Sequence, residues 1–100
     1  MKLIEAIIMP VKLDEVRVAL EKLGIEDFME STLLCHGRQK GKEILYRGVK
    51  LVTNIVEKVK LEIIVNDDAV GKLVEIIGTV AKTEQSESCR IFILPFVEVS

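Results

Sequence analysis

The chain has 100 residues, 49% of them hydrophobic and only 4% aromatic, and a net charge of −2 from 14 basic and 16 acidic side chains. That length makes one domain, residues 1–100, and that charge balance excludes general nucleic-acid binding, which rests on a net basic face. No apolar run reaches the roughly 18 residues of a membrane span, acids occur too early for a signal peptide, and two cysteines make no disulfide framework, so a cytoplasmic location is expected.

Residues 2–9 are an Ile-rich run closed by Pro10 and read as a buried strand. Leu13, Val16, Ala19, Leu20 and Leu23 then recur at helical spacing, with Gly24 as the stop. Residues 28–35 lack helical periodicity and read as a second strand. Residues 59–65 are a third. Asn66, Asp67 and Asp68 make a turn and helix N-cap, and Val70, Leu73, Val74, Ile77 and Val80 give a second amphipathic helix to about residue 82. After a polar connection, residues 90–99 form a fourth strand that Pro95 places at a sheet edge or a bend.

Between the second and third strands lies a segment of another kind. Residues 35–50 hold the only His, His36, the only Tyr, Tyr46, and three of six glycines. Five basic residues, Arg38, Lys40, Lys42, Arg47 and Lys50, fall within it. Such a stretch is poor core material, and binding residues tend to sit on loops of rigid scaffolds. Residues 43–52 show no strong period, so a long functional loop is expected from about residue 37 to 55.

The two halves repeat at a shift of 57. Ile4 and Glu5 fall on Leu61 and Glu62, Leu13 on Val70, Val16 on Leu73, Leu20 on Ile77, and Leu23 on Val80. Two such units give βαββαβ, an α+β ferredoxin-like sandwich: a four-stranded antiparallel sheet with both helices on one face. Strands apolar on both faces predict that the bare sheet face packs against other subunits.

At residues 4–20, 37–48 and 58–68 the sequence resembles the PII signal-transduction family: IEAIIMPVKLDEVRVAL, GRQKGKEILYRG and KVKLEIIVNDD. The resemblance covers nearly the whole chain without a gap. It implies a cytoplasmic homotrimer with adenine-nucleotide sites between subunits and a T-loop that touches target proteins. The nucleotide-binding positions it implies are Ile7, Cys35, His36, Gly37, Arg38, Gln39, Lys40, Glu62, Ile64, Glu87, Ser88, Cys89 and Arg90. Gln39, Lys40, Gly41 and Lys58 fall where the family holds a co-effector such as 2-oxoglutarate, with Gln39 also near a nucleotide-bound Mg²⁺. Lys42, Tyr46, Arg47, Val49 and Leu51 belong to the target-binding loop. The residue chemistry agrees. Gly37 lets backbone approach a phosphate, Arg38 and Lys40 supply charge, and Glu62 is an acid in an apolar strand that needs a partner. That partner is the adenine edge, by the resemblance, or a neighbouring strand residue.

The departures are as informative. The family's second phosphate-binding segment is glycine-rich; here residues 84–90 read EQSESCR. Glu84 and Glu87 put carboxylates where polyphosphate would approach, and like charges repel. ADP or AMP is therefore expected over ATP. Leu51 and Val49 replace a tyrosine and a serine that some members modify. Some PII-like subgroups serve inorganic-carbon uptake, which makes bicarbonate a candidate co-effector and a transporter or metabolic enzyme the expected target. A conventional ATP- and 2-oxoglutarate-responsive nitrogen regulator, or a structural trimer with a degenerate site, is the alternative. No Ser–His–Asp order, HExxH or Walker loop points to an enzyme. By the resemblance positions 35 and 89 both line the inter-subunit cleft, so Cys35, His36 and Cys89 could form a redox link or soft-metal site there; the alternative is two unrelated, partly buried thiols and a surface His.

Overall fold

The computed structural model describes residues 1–36, 42–46, 49–53, 55–83 and 89–100, with backbone pairing alone for 42–46 and 49–53. In chain order the elements are β1 (Lys2–Ile8), α1 (Leu13–Lys22), β2 (Met29–His36), β3 (Lys42–Tyr46), β4 (Val49–Thr53), β5 (Ile55–Val65), α2 (Val70–Val80) and β6 (Cys89–Pro95). Four strands form an antiparallel sheet in the order β2-β5-β1-β6, and β3 pairs with β4 in a separate two-stranded sheet.

The core follows from strand alternation. Ile4, Ala6 and Ile8 of β1 and Leu61 and Ile63 of β5 are fully buried on one sheet face. Val16 and Leu20 of α1 and Leu73 and Ile77 of α2 close over them. Both helices thus cover one face, the expected ferredoxin-like arrangement. Pro10 cannot donate to a ladder, so β1 ends there and Pro10–Lys12 forms a 3-10 turn into α1. Asp14 and Glu15 in the first turn of α1 and Lys22 in the last complement its dipole. Gly24, at φ +79°, closes the helix, and the Ile25 amide donates to the Leu20 carbonyl at 3.0 Å. An exposed ion pair, Arg17 to Glu30, ties α1 to the edge strand β2.

The repeat holds in three dimensions. Pro10–Lys12 and α1 correspond, at a shift of 57, to the 3-10 turn Asp67–Ala69 and α2. Several expected boundaries move. The long loop contains a hairpin, because β3 and β4 pair from Lys42 opposite Thr53 to Tyr46 opposite Val49. β5 starts at Ile55 rather than residue 59, drawn in by pairing with the end of β2. β6 stops at Pro95 and α2 at Val80. Asn66 gives no side-chain cap; it heads the 3-10 turn, and α2 starts behind Ala69.

Candidate functional site: the open face of the sheet

Residues that alternate with the core ones point to the uncovered face. Along β5 these are Lys58, Lys60, Glu62 and Ile64; along β1, Leu3, Glu5 and Ile7; along β6, Arg90, Phe92 and Leu94. Leu94, Phe92, Ile64 and Met29 expose 38%, 41%, 45% and 57% of their surface in the single chain. A contiguous apolar patch of this kind marks an interaction surface.

Charge is sorted into rows across this face. Ile7 stands between Lys60 on β5 and Arg90 on β6. The next row toward the other end of the sheet holds Glu62 and Glu5, directly opposite each other, flanked by Met29 and Phe92. The guanidinium of Arg90 lies 5.7 Å from the Phe92 ring centroid, within cation–π range. Lys60 Nζ reaches Glu62 Oε1 at 3.5 Å. The strand-neighbour partner considered for Glu62 is therefore formed.

Glu62 and Ile64 also line a cleft of about 510 Å³ with Glu26, Asp27, Phe28 and Met29. Its walls are carboxylate and apolar. Carboxylates accept hydrogen bonds and donate none when ionised, so this cleft suits a group carrying N–H donors. Glu26, Asp27, Phe28 and Met29 had no signal as site residues in sequence. They reach the cleft through the β2–β5 register, which sets Met29 opposite Glu62.

The other described site residues lie toward the opposite end of the sheet, Ile7 and Arg90 one open-face row from Glu5 and Glu62, and Cys35 and His36 further on. Cys35 and His36 end β2, Ile7 is one residue from the end of β1, and Cys89 and Arg90 begin β6. The segments 37–54 and 84–88 both join the sheet at this end. Lys58, expected at the far end of the loop, lies inside β5 opposite Leu33. Gly37, Arg38, Gln39, Lys40, Gly41, Arg47, Glu87 and Ser88 lie outside the described residues. Lys42 and Tyr46 belong to β3, and Val49 and Leu51 to β4.

Two distances limit what one chain can do alone. Six residues of β5 separate Glu62 from Val56, the residue opposite Cys35, so the cleft and the Cys35–His36 end are roughly 20 Å apart at the usual strand rise. Cys35 and Cys89 lie on the two edge strands, three strands and three residues of register apart and on opposite faces, roughly 17 Å at the usual strand spacing and rise. Both thiols are free, and burial pushes the Cys89 thiol above its ordinary value. Among the described residues no group of three His, Cys, Asp or Glu side chains can hold a metal. The redox or metal site considered for Cys35, His36 and Cys89 therefore does not form within one chain. No described helix is long and apolar enough to cross a membrane.

Comparison with known proteins agrees with this architecture. The family described as Nitrogen regulatory protein P-II matches residues 1–100. Nitrogen regulatory protein P-II of Azospirillum brasilense is 42% identical over 99 residues, covering 99% of this chain and 88% of that one. The protein of that name from Cereibacter sphaeroides is 43% identical over 95 residues, covering 95% and 85%. That from Porphyra purpurea is 46% identical over 93 residues, covering 93% and 83%.

Proposed function

The chain belongs to the nitrogen regulatory protein P-II family of signal-transduction regulators, and on that premise we propose that it is a non-enzymatic trimeric switch responding to adenine nucleotides. The observation that carries this reading is an acceptor-lined cleft beside a cationic row on one open sheet face. The cleft at Glu62 and Ile64 suits a base with amino hydrogens. The row bearing Ile7 and Arg90, with Cys35 further along the same face and His36 turned to the helix side by strand alternation, suits the anionic part, with Arg90 and the loop residues Arg38 and Lys40 as its cations. Within one chain Ile7 and Arg90 form the row next to Glu5 and Glu62, while Cys35 lies roughly 20 Å from the cleft. Neighbouring chains that pack by their apolar open faces enclose a nucleotide held along these rows.

The ligand preference follows from charge. Glu84 and Glu87 precede β6 where the family is glycine-rich, and each added phosphate increases repulsion. ADP and AMP are then held better than ATP. Gln39, Lys40, Gly41 and Lys58 take the co-effector, and residues 42–51, with Tyr46, Val49 and Leu51, meet the target. A ligand that favours one loop arrangement over another shifts the population offered to that target, which is a transporter or a metabolic enzyme.

Calorimetric titration with AMP, ADP and ATP tests this, each with Mg²⁺ and 2-oxoglutarate or with bicarbonate. Tighter ADP or AMP binding supports the proposal, and bicarbonate enhancement places the switch in inorganic-carbon uptake. The relatives are named for nitrogen regulation; the second reading, which rests on the family resemblance, is a nitrogen regulator whose ATP binding is strengthened by 2-oxoglutarate. Absence of all binding overturns both and leaves a structural trimer.

A further inference from the structure

We propose that Lys60 is the positioning residue of the base cleft, holding the Glu62 carboxylate so that the cleft accepts a 6-amino purine and rejects a 6-oxo purine. This rests on the reading that the cleft takes a nucleotide base.

The argument starts from the charges around Glu62. Glu5 faces it directly across the β1–β5 ladder, and Glu26 and Asp27 line the same cleft. Like charges directly opposite in an antiparallel pair destabilise each other. A carboxylate so placed turns away from its neighbours. Lys60 opposes that. It lies on the same strand and face, with its ammonium 3.5 Å from Glu62 Oε1, and the two side chains are only 28% and 27% exposed. An ion pair withdrawn this far from water is less screened than a fully exposed one.

The consequence is chemical. Ionised Glu62 is an acceptor with no proton to give. It takes a hydrogen bond from the exocyclic amine of adenine. A 6-oxo purine presents an oxygen at that place, and acceptor meets acceptor. Turned away, Glu62 no longer tells the two apart. Lys60 thus sets base selectivity without touching the base.

The experiment compares ADP with inosine diphosphate by calorimetry on the intact protein. Wild type is expected to prefer ADP by about ten- to a hundredfold, the range of one charge-assisted hydrogen bond. Lys60→Gln should reduce that ratio to within about threefold, while Lys60→Arg restores most of it. Adding Glu5→Gln to Lys60→Gln should also restore part of the ratio, because it removes the opposing charge. A general folding defect would lower both affinities and leave the ratio alone. A full ratio retained in Lys60→Gln overturns the role of Lys60. A wild type that binds both diphosphates equally, unchanged by Glu62→Gln, overturns the base reading itself, and so does a wild type that binds neither.

Discussion

Glu5 and Glu62 face each other across the two central strands, and each is the other's counterpart in the 57-residue repeat. The pair sits on the local two-fold axis that relates β1 to β5. A residue on such an axis always meets its own copy, so an acid there meets an acid. Replacing one of them with a neutral isostere should relieve the repulsion. Glu5→Gln is expected to raise stability by about 0.5 kcal/mol at neutral pH, within the usual range of cross-strand pairs. Urea unfolding at a fixed protein concentration checks it, and a lower midpoint with an unchanged slope would contradict it.

Leu61 is the deepest test of the core. It is fully buried in β5, opposite Ala6 and within the core cluster that both helices join. Leu61→Ala should cost about 2–5 kcal/mol, the cost of the lost burial plus the cavity. The same measurement on Leu34→Ala, a position 66% exposed on the edge strand, should show a much smaller loss.

Asp67 gives a pH dependence. Its carboxyl is held below the ordinary value of 3.8, first by a hydrogen bond from the chain's amino terminus and then by Lys2. Met1 N lies 3.0 Å and Lys2 Nζ 3.3 Å from Asp67 Oδ1. A carboxyl lowered in the folded state stabilises folding above its unfolded value. That contribution is lost as pH falls through 3.8 toward the folded value. Asp67→Asn should therefore be less stable than wild type at about pH 6 and equal to it at about pH 2. The groups are exposed, so the difference is small and should shrink in high salt. A difference that grew in acid would refute the assignment.

The cysteines predict a pattern of reactivity. Burial raises the Cys89 thiol above 9.0, which lowers its thiolate fraction. Alkylation of Cys89 near pH 8 should be slower in the folded protein than in urea, read by mass spectrometry. Oxidation should yield no link within one chain, because Cys35 and Cys89 occupy opposite edges and faces of the sheet. Any Cys35–Cys89 disulfide should run at twice the chain mass on a non-reducing gel.

The sheet and helices were legible because their signals are local and repeated. Val16 and Leu20 find their counterparts in Leu73 and Ile77, and all four are buried. The hairpin of β3 and β4 was not, since KEILY and VKLVT do not alternate cleanly and are held by pairing with each other. Ile55 to Lys58 joined β5 for the same reason: the end of β2 supplies the ladder. In the site, Glu62 stood out as an acid among Ile, Leu and Val. Glu26 and Asp27 did not, because an irregular segment gains meaning only through the register that lays it beside Glu62.

The arrangement of the sheet ends has a further consequence. Residues 37–54 and 84–88 meet the sheet at one end, away from the turns that lead from α1 to β2 and from β5 to α2. Lengthening a flexible loop twofold costs only about 0.6 kcal/mol in closure entropy. The packed interior can therefore stay as it is while the length and sequence of the two connections at that end change.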